Sequence, residues 1–171
     1  MNTISRTLLA FSGGLDTSFC ALWLREQGYE VHTVTIDTGG FDDTELEAIE
    51  KLARRLGVAS HTSIDARDEL FRDYLRFLIA GNVLRGGVYP LSVSAERVCQ
   101  ARGVVNHARQ INAVAIAHGW TGAGNDQVRF ELTAAALAPE LQVIAPWRDA
   151  SFRAQFPGRS EMIAYCEQKN P

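Results

Sequence analysis

The chain has 171 residues and a formal net charge of −3, with 46% of its residues hydrophobic and 22% charged. That length predicts one domain able to bury roughly 70% of the unfolded surface, and the composition is that of a globular protein rather than a disordered or fibrous one. The slight acidity excludes a general attraction to nucleic acid or anionic membrane and leaves only local basic pockets, while no apolar run approaches a membrane span or a signal-peptide core. Cys20, Cys99 and Cys166 are far apart in sequence, with no CxxC or Cys/His pairing. This argues against a disulfide framework or structural zinc and for a reducing, cytoplasmic compartment.

Short β-like runs alternate with longer amphipathic segments. Residues 7–12 (TLLAFS) predict a buried strand, followed by a helix over 15–28 with Leu15, Phe19, Leu22 and Trp23 on one face and Gly28 at its end. The β-branched run 30–37 predicts a second strand. Residues 42–57 predict a helix whose acidic start and basic end complement the macrodipole, closed by Gly57. A weaker strand over 59–66 precedes a helix over 67–80 with Leu70, Phe71, Tyr74 and Leu78 inward as a core stripe. Residues 81–93 form the longest irregular stretch, of the kind that often binds ligands. A helix over 94–110, a strand over 113–118 suited to a parallel sheet, a glycine-rich turn at 119–124 and a helix over 125–137 follow. A fifth strand over 141–146 leads into a tail with a loop and a last helix over 159–168. There is no internal repeat. The pattern predicts a doubly wound, mostly parallel five-stranded α/β sheet with ligands at the carboxyl ends of its strands.

Three constellations carry polar chemistry. Ser12-Gly13-Gly14-Leu15-Asp16-Thr17-Ser18 stands between the first strand and helix. Its glycines let backbone N–H groups approach a ligand, the helix start adds free donors and partial positive charge, and Ser12, Thr17 and Ser18 add hydroxyls. A bare glycine pair there is usually a tight turn; the whole SGGxDxS run favours an anion site. It has neither a P-loop lysine nor GxGxxG, and Asp16 is either a helix cap or a candidate Mg²⁺ ligand. The second constellation, 117–131, reads AHGWTGAGNDQVRFE. Helical spacing puts Asn125 and Arg129 on one face, with Asp126 also within reach of Arg129, and amide, carboxylate and guanidinium together can read a zwitterionic amino acid: Asp126 toward an ammonium, Arg129 toward a carboxylate or carbonyl. The bland alternative is a surface i,i+3 pair worth about 0.3 kcal/mol. The third, 86–97, offers Tyr89, Ser94 and Arg97, each more ordinary alone as a packed Tyr, an N-cap Ser and a solvated Arg. His118 at a strand end is either a base or, more commonly, a satisfied structural group; His32 and His61 read as strand residues and His107 as helix surface.

Taken together, AFSGGLDTS (10–18) resembles the pyrophosphate-binding loop of the N-type ATP pyrophosphatases. AHGxTGxGNDQVRFE (117–131), YPLxxSxxR (89–97) and APWR (145–148) resemble the argininosuccinate synthase family in particular, over essentially the whole chain. The resemblance implies an adenine nucleotide alpha hydrolase-like (Rossmann-like) fold. It also implies an ATP- and Mg²⁺-dependent carbon–nitrogen ligase of arginine biosynthesis, which adenylates the ureido oxygen of citrulline, releases pyrophosphate and lets the aspartate amine displace AMP. It assigns ATP to Ala10, Phe11, Ser12, Gly13, Gly14, Leu15, Asp16, Thr17, Ser18, Ile36 and Gly119. Citrulline falls to Tyr89, Ser94, Asn125 and Arg129, and aspartate to Thr121, Asn125 and Asp126; no general acid or base is assigned. Ile36, Gly40, Ser92, Val98 and Trp120 depart from the family's commoner residues. Family members are more than twice as long and tetrameric. The expectation is therefore an ATP-binding domain over 1–171 without the C-terminal synthetase and oligomerisation domain, a monomer or dimer that is either a fragment or a stand-alone module. The alternatives are another amidating or tRNA-modifying ATP pyrophosphatase, or a non-catalytic ATP-binding module.

Overall fold

The structure is a computed structural model, and it describes residues 5–120 and 124–169. Five strands form one all-parallel sheet: β1 (Arg6–Ala10), β2 (Glu30–Asp37), β3 (Ser60–Asp65), β6 (Ala115–Ala117) and β7 (Gln142–Ile144), in the spatial order β3-β2-β1-β6-β7. From β1 the chain builds outward to β3 and then returns to the other side of β1. The sheet's switch point therefore falls between β1 and β6, and the loops leaving these two strands part there to form a crevice.

Helices cover both faces. On one side α1 (Leu15–Glu26), α2 (Asp43–Arg55) and α8 (Arg159–Lys169) enclose a core of Leu9, Phe19, Leu24, Ile49 and Leu56; on the other α5 (Ser92–Gln110) and α6 (Asp126–Leu137) pack Leu8, Val34, Val104, Ile116 and Phe130. The α2 start is a capping box: Asp42 accepts from the Glu45 N–H at 2.8 Å while Glu45 accepts from the Asp42 N–H at 2.9 Å. All three cysteines are free, Cys20 and Cys99 buried, and burial pushes the Cys99 thiol up to about 11.

The five strands, the glycine-ended helices and the parallel order match the expectation from the sequence, with the third and fourth long segments modified. The predicted helix 67–80 is broken by a π turn at Phe71–Leu75 between α3 (Arg67–Leu70) and α4 (Arg76–Ala80). The extra residue in that turn rotates the inward face, so Leu70, Tyr74 and Leu75 meet the core and Phe71, expected inside, is 57% exposed. The irregular stretch contains a small antiparallel hairpin, β4 (Leu84–Arg85) with β5 (Tyr89–Pro90). The tail gains a 3₁₀ turn at Pro146–Arg148 and a short helix, α7 (Ala150–Gln155), whose start is capped by Asp149. Phe19 of α1 fastens this tail: its ring lies 4.7 Å from Phe156, 4.8 Å from Tyr165 and 5.7 Å from Phe152. Phe19→Ala is expected to cost about 3–5 kcal/mol in urea unfolding, because it opens a cavity where α1 and the tail meet.

Candidate functional site

The loop after β1 is shaped by Gly13, whose φ is +74° and whose α-carbon faces Ile49, leaving a Cβ only 3.0 Å from Ile49 Cγ1. Gly14 is the N-cap of α1 and supplies no side-chain cap, so the first N–H groups of the helix keep no intrahelical acceptor. Asp16 therefore does not cap the helix; it sits in the first turn with its side chain beside the crevice. The Ser12 and Thr17 hydroxyls lie 3.5 Å apart across the loop, and Thr17 Oγ1 donates to the Gly14 carbonyl at 3.1 Å. On the far side Gly119 passes directly over this turn. A Cβ there would lie 3.2 Å from the Asp16 carbonyl carbon and oxygen and 3.3 Å from the Thr17 nitrogen, all rigid backbone.

Between the two loops lies a cavity of about 420 Å³. Ala10, Phe11, Ser12, Gly14, Asp16, Thr17, Ile36 and Gly119 line it, whereas Gly13, Leu15 and Ser18 shape the turn without facing it. Ile36 is buried and fits because Gly103 of α5 leaves it room: a Cβ at Gly103 would stand 2.9 Å from Ile36 Cδ1. A second, more open cleft of about 690 Å³ adjoins it and gathers Tyr89, Ser94, Asn125, Asp126 and Arg129. The residues singled out as an amino-acid reader thus share one cleft. Thr121 lies outside the described residues. Ser94 is not an N-cap, since α5 begins at Ser92 after Leu91, and Asn125 is the N-cap of α6 but makes no side-chain capping bond.

The wall between the spaces joins Arg97, Asp126 and Arg129, which the sequence singled out, to Thr38, Glu96 and Gln100, which it did not. Trp120 lines both, its ring 4.7 Å from Phe130 and 5.0 Å from His118. Arg97 is not a solvated arginine: it donates from Nε to Asp126 at 3.1 Å and from Nη1 to Gln100 at 2.8 Å. Asp126 also takes Arg129 Nη1 at 3.1 Å, so the expected i,i+3 pair exists but inside a larger chain. Gln100 and Thr38 in turn donate to Glu96 Oε1, at 3.2 and 2.7 Å. Spacing in α5 could have placed Glu96, Gln100 and Val104 on one face; nothing local said that this face looks into a cavity.

His118 is fully buried and structural. Its Nδ1 accepts from the Trp120 N–H at 3.3 Å, which leaves the proton on Nε2 to donate to Glu131 at 3.1 Å. Glu131 also accepts from Gln127 Nε2 at 2.9 Å and pairs with Arg148 of the APWR turn. Burial lowers the basicity of His118, opposed by Glu131 and reinforced by Arg148. Among the described residues no three His, Cys, Asp or Glu side chains converge to hold a metal. Among the described residues no helix is long and apolar enough to cross a membrane.

A parallel α/β sheet with a glycine-turned, lysine-free loop at its switch point has the architecture of a Rossmann-like HUP domain. Residues 6–170 match the family described as Arginosuccinate synthase N-terminal HUP domain, and the chain belongs to that family. It is 46% identical over 162 residues to argininosuccinate synthase of Rhodopirellula baltica, covering 95% of this chain and 40% of that protein. It is 44% identical over 166 residues to argininosuccinate synthase of Rhizobium etli, covering 96% and 39%. The chain thus spans about two-fifths of the length of these relatives. The fold is shared with a predicted subunit of tRNA methyltransferase from Methanocaldococcus jannaschii (TM-score 0.58, 18% identity, 96% of this chain and 75% of that one). It is also shared with the NMN synthetase of Francisella tularensis (TM-score 0.51, 14% identity, 67% and 45%).

Two outcomes test this geometry. Gly119→Ala is expected to weaken pyrophosphate binding, measured by calorimetry, by about tenfold or more, because its methyl must push the two loops apart. For His118, the folded state binds a proton less readily than the unfolded chain, whose histidines titrate near about 6.5. Its contribution to stability is complete above that value and is lost as pH falls below it. His61, also lowered by burial, acts in the same direction. The urea midpoint is expected to drop between pH 7 and pH 5, and His118→Asn, which keeps an acceptor for the Trp120 N–H, to remove most of that slope.

Proposed function

We propose that this chain is the ATP-binding part of a cytoplasmic argininosuccinate synthase of arginine biosynthesis. In this reading ATP adenylates the ureido oxygen of citrulline with loss of pyrophosphate, and the aspartate amine then displaces AMP. The observation that carries the reading is the adjacency of the two spaces. The 420 Å³ cavity opens on a loop rich in N–H and hydroxyl donors, and the neighbouring cleft holds amide, carboxylate and guanidinium groups, with one wall in common. Such a reaction needs the ureido oxygen aligned with the α-phosphorus and needs its developing charge stabilised; it needs little proton transfer. Family membership favours this ligase over the amidating or tRNA-modifying ATP pyrophosphatases and over a non-catalytic module.

In the proposed site the loop 10–18 holds the phosphates, while Ile36 and Gly119 flank the adenosine. Tyr89, Ser94, Asn125 and Arg129 meet citrulline, and Thr121, Asn125 and Asp126 meet aspartate. Asp16 is one carboxylate beside the phosphate loop, and Mg²⁺ is commonly carried by substrate phosphates with one or two protein carboxylates, so the residues present fit it. When bound, the ion neutralises phosphate charge. The domain assignment, a nucleotide-binding unit working with a second synthetase domain, belongs to the same proposal, as does a monomer or dimer for this chain.

The test is pyrophosphate release from ATP–Mg²⁺ and citrulline, with the second domain of a relative supplied in trans. Release is expected to depend on citrulline. Asn125→Ala and Arg129→Ala are each expected to reduce it by about tenfold or more while leaving ATP affinity within about twofold, since each removes a hydrogen bond to citrulline and none to ATP. Citrulline-independent release, or none, defeats the assignment.

A further inference from the structure

Glu96, Gln100 and Val104 recur every fourth residue of α5, so they form one row along the helix, and all three line the nucleotide cavity. Burial deepens along that row: the Glu96 side chain is 29% exposed, Gln100 is half-buried and Val104 is 1% exposed. The buried part of the lining is mainly apolar, with Val34, Ile36, Val104 and Phe130 beside the buried Thr35 and His118, while Thr38, Glu96, Arg97 and Gln100 are partly exposed. A nucleoside entering such a space puts its flat base inward and leaves its sugar at the level of Glu96. Glu96 is held there by the Thr38 hydroxyl at 2.7 Å and the Gln100 amide at 3.2 Å, both on Oε1. Among the described residues no hydrogen bond reaches Oε2. An ionised carboxylate only accepts hydrogen bonds, and a ribose hydroxyl is the donor that carboxylates meet at nucleotide sites of parallel α/β sheets.

We propose that Glu96 is the sugar-reading residue of the nucleotide site, with Oε2 accepting from the ribose 2′-hydroxyl so that ribonucleotides are selected over 2′-deoxyribonucleotides. Thr38 and Gln100 are positioning residues that fix the carboxylate's rotamer. The inference rests on the nucleotide reading proposed above.

The experiment measures dissociation constants of the full chain for ATP, 2′-deoxyATP and pyrophosphate, each with Mg²⁺, in the wild type, Glu96→Ala and Glu96→Gln. The wild type is expected to favour ATP over 2′-deoxyATP by about tenfold, the magnitude of one charge-assisted hydrogen bond. In Glu96→Ala that ratio falls toward one through lost ATP affinity, with pyrophosphate affinity within about twofold of wild type, and Glu96→Gln lies between. An unchanged ratio in Glu96→Ala, a wild type that does not discriminate, or an equal loss of pyrophosphate affinity each overturns the sugar assignment while leaving nucleotide binding intact. A wild-type chain that binds neither ATP nor pyrophosphate overturns the nucleotide reading and the sugar assignment together.

Discussion

The contact on which the site depends is backbone against backbone. β1 and β6 are parallel neighbours, with Thr7 opposite Ala115 and Leu9 opposite Ala117, so the loops leaving them start side by side. The second loop must then cross the first turn of α1 at Gly119, where even one added carbon would sit 3.2 Å from the Asp16 carbonyl. That approach brings the N-terminal donors of α1 and the start of α6 to opposite sides of one crevice. The position is held from beneath: the Trp120 N–H is tied to His118, His118 to Glu131, and Glu131 to Arg148 in the turn that follows β7. A bond sequence running through β6, α6 and the tail thus fixes the height of a single glycine. Because His118 is buried, its neutral tautomer is part of that fixture.

A second sequence of bonds runs through the wall itself, from Thr38 to Glu96, Gln100, Arg97, Asp126 and Arg129. Its two carboxylates and two guanidiniums balance in charge, so no ion there is left uncompensated in a partly desolvated place. The same balance makes the wall responsive. A ligand carboxylate on Arg129 or an ammonium on Asp126 replaces one partner of an existing pair and avoids burying a new charge alone. Such an exchange is felt through Arg97 and Gln100 on the other side of the wall, because each of these groups shares its partner with the next.

What could be read in the sequence was what is local. A strand, two glycines and a helix rich in early hydroxyls form a turn whose donors point one way whatever the rest of the chain does, and helical spacing alone brings Asn125 and Asp126 each within reach of Arg129. The parallel, doubly wound character of the sheet followed from strand–helix alternation. Three things needed the third dimension. Glu96 and Gln100 carry no local signal, and only the packing of α5 against the sheet brings them to the cavity. Phe71 belonged to the apolar stripe until a π turn added a residue and handed its inward place to Leu75. Ile36 is accommodated through Gly103, sixty-seven positions away in sequence, a fit that no window of one strand or helix contains.

The lysine-free loop has an electrostatic consequence of its own. A P-loop lysine brings a full positive charge to the terminal phosphates; this loop offers hydroxyls, backbone N–H groups and a helix terminus equivalent to roughly half a charge. Among the described residues lining the cavity, Arg97 carries the one guanidinium, and it stands across the space from the loop, tied to Asp126. In the proposed site a polyphosphate seated on the loop meets dipoles alone, and because Arg97 is already paired with Asp126 in a charge-balanced wall, its counter-charge falls to the cation it brings.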